Sequence, residues 1–352
     1  MTDNFDNLIG REVAGCELLK ELGRGNNGVV YLAHQKKLNR QIACKIISPE
    51  LQNDPEFIDN LFSEAANAAK LSHPNIIQAL DVGDDNGLKY FLMEYVNGSS
   101  LEHIRTETPE IISTAYMLDL AIQLTNAMDY AWSKHGMIHG DIKPANILIS
   151  KDNILKVGDL GLARSSNGVT GDPSDVMITP LYAAPEVISQ QAVDADQRSD
   201  IYSFGVMFYE LSCGAAPFNG TLEHILDCHL NEMPEPLISK NPDMDRELAG
   251  FIDSMLAKNP DDRPASWSAI REKLLEIHQR IFPDAEKPGS TVYHNSGSKK
   301  TIPTNKVAIK SSWSAEKKEV KFLEKFPWLL PTLLILIIAA ALGSIAVNLG
   351  LF

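Results

Sequence analysis

Cysteine is scarce in this sequence, and the few thiols stand apart. Cys16, Cys44, Cys213 and Cys228 form no CxxC pair and no metal-like cluster. That excludes a zinc-ribbon or disulfide-stapled scaffold and suits reduced thiols in a cytosolic body. Positive charge is also short: 32 Lys and Arg stand against 46 Asp and Glu, a formal net charge of −14. A chain that acidic is unsuited to non-specific nucleic-acid binding, so no nucleic-acid partner is expected. Internal repeats are lacking, which sets aside solenoids. No secretory leader is expected either, because MTDNFDNLIG is acidic and polar.

Charge vanishes altogether from Trp328 to Phe352, a run of 25 residues. As a helix it would extend roughly 37 Å, against about 30 Å for a hydrocarbon core. The pattern predicts a single membrane-spanning helix over 326–352, with Pro331 in its first turn and Trp328 at the interface. Lys317, Lys318, Lys321 and Lys325 lie just before it and favour a cytoplasmic location for everything upstream. Gly343 and Gly350 are too far apart for a GxxxG contact, which leaves a homodimer open. Residues 282–325 are rich in Pro, Gly, Ser, Thr and Lys and read as a basic, disordered tether that could lie against anionic lipid.

The body, 15–281 behind a tail of residues 1–14, opens with strand-like runs CELLKEL, VVYLAH and QIACKII. A helix then starts at Asp54 as N-cap and Pro55 at N1, with Phe57, Ile58, Leu61 and Phe62 on one face. IIQALDVG and LKYFLMEYV read as further strands, and from Ser113 the pattern is mostly helical. The expectation is an α+β, bilobal body: a small β-rich unit over 15–96 and a larger α-helical one over 97–281.

Three constellations carry chemistry. Gly23, Gly25 and Gly28 stand as G-x-G-x-x-G, and glycines let a backbone approach phosphates closely. A dinucleotide fingerprint would need a helix next; VVYLAH follows instead and favours a strand–turn–strand flap. Lys45 sits in an otherwise apolar strand and demands an anion, from Glu64 on the following helix or from phosphates. In MIHGDIKPANILIS, Asp141 can accept a proton, Lys143 can neutralise a transferring phosphoryl group, and Asn146 with Asp159 offers hard oxygens suited to Mg²⁺. His139 in the same stretch reads as a packed structural residue.

With these residues in order, the chain resembles eukaryotic-type (Hanks-type) serine/threonine protein kinases from about Cys16 to Ile281, and bacterial members with a C-terminal transmembrane helix in particular. The match continues through HPNI, MEYV, HGDIKPAN, DLG, TPLYAAPE, SDIYSFG with Asp200, and Arg263 in NPDDRP. The resemblance implies a bilobal kinase fold that binds ATP and Mg²⁺ and phosphorylates serine or threonine on proteins. It implies that Gly23, Gly25 and Gly28 cover the triphosphate and that Lys45, oriented by Glu64, holds the α- and β-phosphates. Asp141 would be the catalytic base, Lys143 would steady the γ-phosphate, and Asn146 and Asp159 would bind Mg²⁺. Leu22, Val30, Ala43 and Leu148 match apolar positions around adenine, with Met93 guarding the back pocket and backbone groups of Glu94 and Val96 bonding the adenine edge. Thr179 would bridge Asp141 and Lys143, and Glu186 would pair with Arg263. A pseudokinase acting as a nucleotide-binding scaffold at the membrane is the alternative, and a small-molecule phosphotransferase a third reading that TPLYAAPE opposes.

Two positions depart from the family pattern. Leu160 replaces the usual phenylalanine of D-F-G, a conservative apolar exchange. Gly140 replaces the arginine that usually precedes the catalytic aspartate and often meets a phosphate on the activation segment. Without that cation, activity should not depend on phosphorylation of that segment. Replacing Ser165, Ser166, Thr170 and Ser174 together with alanine is expected to leave most of the activity, and a loss beyond about tenfold would overturn this.

Overall fold

The computed structural model describes residues 8–25, 27–107, 112–159, 164–165, 179–189 and 195–284, without the side chains at 56, 60, 63, 64, 164 and 165. Two separate apolar cores organise these residues. The smaller lies on one face of a six-stranded antiparallel sheet with order β1-β2-β3-β4-β6-β5. Its strands are β1 (Glu12–Val13), β2 (Cys16–Gly25), β3 (Gly28–Gln35), β4 (Arg40–Ile47), β5 (Ala79–Asp85) and β6 (Leu88–Glu94).

Period-two alternation decides which residues face which way. Val29, Tyr31 and Ala33 on β3, Ile42, Cys44 and Ile46 on β4, and Leu88, Tyr90 and Leu92 on β6 all enter the small core. The intervening residues therefore share the opposite face. Register places Gly23, Val30, Lys45 and Phe91 in one row across four strands, and Leu32, Ala43 and Met93 in the next. These two rows thus set Lys45 among apolar side chains on that second face.

Leu8 and Val13 are already buried in the small core, and β1 pairs with β2. Folding therefore begins before residue 15, where a polar tail is expected, because one short apolar pair suffices to extend the sheet edge. The strand expected over IIQALDVG starts later, at Ala79. Ile76 and Ile77 bridge instead to Val157, with the Ile77 N–H donating to the Val157 carbonyl at 2.9 Å. Ala68, Leu71 and Ile76 accordingly belong to the large core and stitch the upper unit to the lower one.

Helix α1 (Pro49–Gln52) precedes α2 (Pro55–Ala68), where Asp54 Oδ1 accepts from the Phe57 N–H at 3.2 Å and caps the first turn. The larger unit is built on α4 (Thr114–His135) and α6 (Gln197–Cys213), reached through β7 (Gly98–Ser100) and α3 (Leu101–Glu107). Ser113 caps α4, and Gly136 ends it in the left-handed region at φ +59°. From Ser199 to Ser212 every residue of α6 is buried, so this helix is wrapped on all sides. Gly205 makes that possible: a Cβ there would lie 2.7 Å from Met255 Cβ on α9 (Arg246–Met255). The other helices of this unit are α5 (Pro185–Ile188), α7 (Leu222–Asn231), α8 (Leu237–Lys240) and α10 (Trp267–Ile281), the last packed along α4.

Short strands β8 (Met137–Ile138), β9 (Ile147–Ser150), β10 (Leu155–Val157) and β11 (Arg164–Ser165) carry the chemistry-bearing loop between them. No helix among the described residues is long and apolar enough to cross a membrane, and the span expected over 326–352 lies outside them.

Candidate active site

The stretch from His139 to Asn146 is a loop held from beneath by one buried carboxylate. Asp200, in the first turn of α6 and 1 % exposed, accepts from the His139 N–H at 2.7 Å and the Gly140 N–H at 2.8 Å. Burial pushes its carboxyl up, while these two N–H donors act the other way. Gly140 sits at φ +79°, the left-handed region, and so delivers its N–H to Asp200 without a Cβ penalty. His139 is fully buried: Nδ1 accepts from the Asp141 N–H at 3.2 Å, which leaves Nε2–H to donate to the Gly158 carbonyl at 3.1 Å. Its bonds tie β8 to the segment before Asp159.

The polar groups above this base converge. Asp141 Oδ2 lies 2.7 Å from Lys143 Nζ, and Oδ1 accepts from Thr179 Oγ1 at 2.6 Å. Lys143 Nζ in turn donates to Thr179 Oγ1 at 2.8 Å. Thr179 stands just ahead of the 3-10 turn Pro180–Tyr182, so one hydroxyl joins acid, lysine and that turn. Asn146 gives both amide contacts to Asp141, at 2.8 Å to its carbonyl and 2.8 Å to Oδ2. Its amide is thereby oriented, and Oδ1 is the atom it can offer a cation.

Lys45 approaches Asp159 Oδ1 at 3.6 Å, across the space between the sheet and the lower unit. Asp159 adopts φ +47°, a conformation costly for most residues but tolerated by aspartate, and its side chain remains 55 % exposed. Glu64 lies on α2, but its side chain is not among those described. Within the described residues the anion beside Lys45 is Asp159, a pairing that strand periodicity cannot signal. Asn146 and Asp159 fit a magnesium site of the kind that takes its remaining ligands from phosphate and water. No cluster of three or more His, Cys, Asp or Glu side chains suited to a metal occurs among the described residues, and such a site needs none.

The adenine-facing candidates share the second face of the sheet. Ala43 is buried; Val30, Leu22, Met93 and Val96 are half-buried, as is Leu148 on β9 opposite them. Gly23 pairs with Val30, and Gly25 pairs with Gly28 to close the hairpin. Gly28, at φ +142°, could not carry a side chain, because a Cβ would overlap the Ile46 carbonyl. Strand packing therefore demands this glycine, whatever else approaches it. Glu94 gives its N–H to the Gln78 carbonyl at 2.9 Å and its carboxylate to Lys156 at 2.6 Å, which leaves the backbone carbonyl as its contribution toward a ligand edge.

Beside the site, Glu186 and Arg263 form a bidentate pair at 2.8 and 2.9 Å, with the arginine side chain fully buried. Ser199 Oγ adds a bond to Glu186 at 2.6 Å. Burial pushes the Glu186 carboxyl up, but Arg263 outweighs that and holds it below its ordinary value. Three groups that motif reading missed complete the surroundings: Tyr182 donates to Glu210 at 2.6 Å, and Arg105 reaches Glu210 at 3.3 Å. The signal available was an acid in the middle of the apolar α6 sequence.

Lys45 on the sheet thus faces a helical unit bearing Asp141, Lys143, Asn146 and Asp159, and the chain matches the protein kinase domain family over residues 16–275. The chain belongs to that family. It is 38% identical over 281 residues to the serine/threonine-protein kinase PknB of Mycolicibacterium smegmatis, covering 77% of this chain and 44% of that protein. It is 33% identical to a probable serine/threonine-protein kinase of Clostridium acetobutylicum, covering 76% of this chain and 40% of that one. The chain thus spans less than half the length of these curated relatives. Its fold is similar to the crystal structure of the Mycobacterium tuberculosis PknI kinase domain, with a TM-score of 0.61 and 27% identity over 76% of this chain and 98% of that domain.

Breaking the Glu186–Arg263 pair tests its place in the fold. Arg263→Met is expected to lower stability at neutral pH by about 3–5 kcal/mol in urea unfolding, because it strands a buried carboxylate. A depressed folded value contributes stability above the ordinary carboxylate range and loses it as pH falls through that value. The gap between wild type and variant should therefore narrow as pH falls, since the unpaired carboxyl in the variant prefers to be protonated. A gap that stays constant across acid pH would assign the loss to packing alone.

Proposed function

We propose that the chain is an active serine/threonine protein kinase that transfers the γ-phosphoryl group of ATP to hydroxyls on protein substrates. The observation that carries this reading is the Asp141–Thr179–Lys143 triangle, with contacts of 2.6, 2.8 and 2.7 Å. It joins a proton acceptor and a phosphate-neutralising cation to the segment against which a peptide would lie. Asp141 is placed to orient a serine or threonine hydroxyl and take its proton as oxygen bonds to phosphorus and the bond to the leaving diphosphate breaks. Lys143 would stabilise charge on the transferred group, and Lys45 the phosphates that leave. Bound magnesium, held by Asn146 Oδ1 and the Asp159 carboxylate, would supply charge neutralisation on the phosphate oxygens. Val30, Ala43 and Leu148 would enclose adenine, with Met93 behind it and the backbones of Glu94 and Val96 at its edge. The names of the curated relatives support the same substrate class.

The reading also tethers the chain to a bilayer through 326–352, with the kinase unit on the cytoplasmic side. Its support is the uncharged run of 25 residues and the lysines before it.

Two experiments test these statements. Full-length chain with Mg²⁺ and labelled ATP should transfer label to itself or to casein, and Asp141→Asn or Lys45→Met should each lower transfer by at least about 100-fold. Nucleotide binding without transfer in the wild type would favour a scaffold instead. Deleting residues 326–352 should move the chain from the membrane pellet to the supernatant; retention in the pellet after an alkaline wash would refute the span.

A further inference from the structure

Behind the substrate-side turn lies a buried polar chain that the proposed chemistry does not use. His229, on the last turn of α7 and fully buried, meets the Leu181 carbonyl through Nε2 at 3.1 Å. Its Nδ1 lies 2.9 Å from the hydroxyl of Tyr202 on α6. A carbonyl can only accept, so Nε2 must carry the proton, and Tyr202 must donate to Nδ1. Lys258 completes the sequence. Its ammonium donates to the Cys228 and His229 carbonyls at 3.0 and 2.8 Å and stands 3.4 Å from the Tyr202 hydroxyl. It thereby caps the C-terminus of α7 where His229 sits, with its charge over the Phe218 ring at 4.8 Å. All donors in the chain point one way, from Lys258 through Tyr202 and His229 to Leu181.

Leu181 is the middle residue of the 3-10 turn that begins after Thr179, and the Tyr182 N–H closes that turn on the Thr179 carbonyl at 3.1 Å. The adjoining carbonyl, that of Tyr182, is held by Ser203 Oγ at 2.8 Å. Two side chains from two helices thus fix successive carbonyls of the turn whose leading hydroxyl touches Asp141. We infer that His229 is a positioning residue for catalysis, which, through Leu181, holds Thr179 in register with Asp141 and Lys143. Burial, with the charge of Lys258, pushes the imidazole down to about 4, so His229 remains neutral and its single N–H stays committed.

This inference rests on the kinase reading, and the test separates the two. Steady-state phosphorylation of casein by the full-length chain is measured with ATP and with casein as the varied substrate. His229→Ala should lower kcat about tenfold, the scale of one lost buried hydrogen bond, with the KM for ATP unchanged. His229→Gln should stay within about threefold of wild type, since its amide nitrogen reaches the place of Nε2. His229→Asn, whose amide ends at the place of Nδ1, should behave like alanine. Tyr202→Phe should cost about threefold alone and nothing further in the glutamine background, where no tautomer needs setting. Because Gln and Asn variants are both polar and near in size, their contrast decides the matter even if the alanine variant fails to fold. Independently of activity, the imidazole nitrogen shifts of wild type should report the Nε2–H tautomer.

Equal kcat for Asn and Gln variants, a rise in the KM for ATP in place of the kcat loss, or an Nδ1–H tautomer would each overturn the inference. Absence of transfer by wild type would sink the kinase reading itself, while an active wild type matched by the alanine variant would sink only the role of His229.

Discussion

A carboxylate shut away from water at 1 % exposure would ordinarily be a liability, and the lower unit is assembled around one. Asp200 answers its burial by accepting two successive backbone N–H groups, those of His139 and Gly140. Those bonds fix the entry to the loop, His139 passes the constraint on to Gly158, and Asp141 follows immediately. Because α6 is buried on all sides, Asp200 cannot move without moving the whole large core. The acid, the lysine and the asparagine above it thus inherit the rigidity of that core, as a site that depends on preorganised charge requires.

The opposing half of the site has a different foundation. Lys45 stands on a sheet whose core is separate from the large one, and the two halves are joined through Ala68, Leu71, Ile76 and the bridge from Ile76 to Val157. The Lys45–Asp159 contact of 3.6 Å crosses between them. Contacts of that kind, between partly exposed groups, contribute little stability. Its meaning is positional: it marks where a cation from above and an acid from below come within reach of each other.

The segment 179–186 is anchored more heavily. Glu186–Arg263, Tyr182–Glu210, Ser203 on the Tyr182 carbonyl and His229 on the Leu181 carbonyl converge on residues 179–186 from several helices. A segment that would otherwise be a surface loop is held as firmly as a core element. That difference between a loosely coupled upper half and a clamped lower half follows from where the two apolar cores lie.

Much of this was legible in the order of residues. The runs VVYLAH, QIACKII and LKYFLMEYV marked β3, β4 and β6, Asp54–Pro55 marked the start of α2, and Asp141, Lys143 and Asn146 announced themselves by lying within six positions of one another, since local proximity in the chain is proximity in space. The start of β5 was misplaced because Ile76 and Ile77 satisfy strand propensity but give their bonds to a segment about eighty residues away. What the linear chain settled, then, was composition, period and short-range motif, which depend on neighbours a few residues apart. Which acid meets Lys45, which carboxylate supports the loop beneath Asp141, and which side chains grip the turn behind Thr179 were decided only by folding. Each of those contacts joins residues separated by 21 to 114 positions, and the energy that selects among such partners comes from burial, which no local pattern encodes.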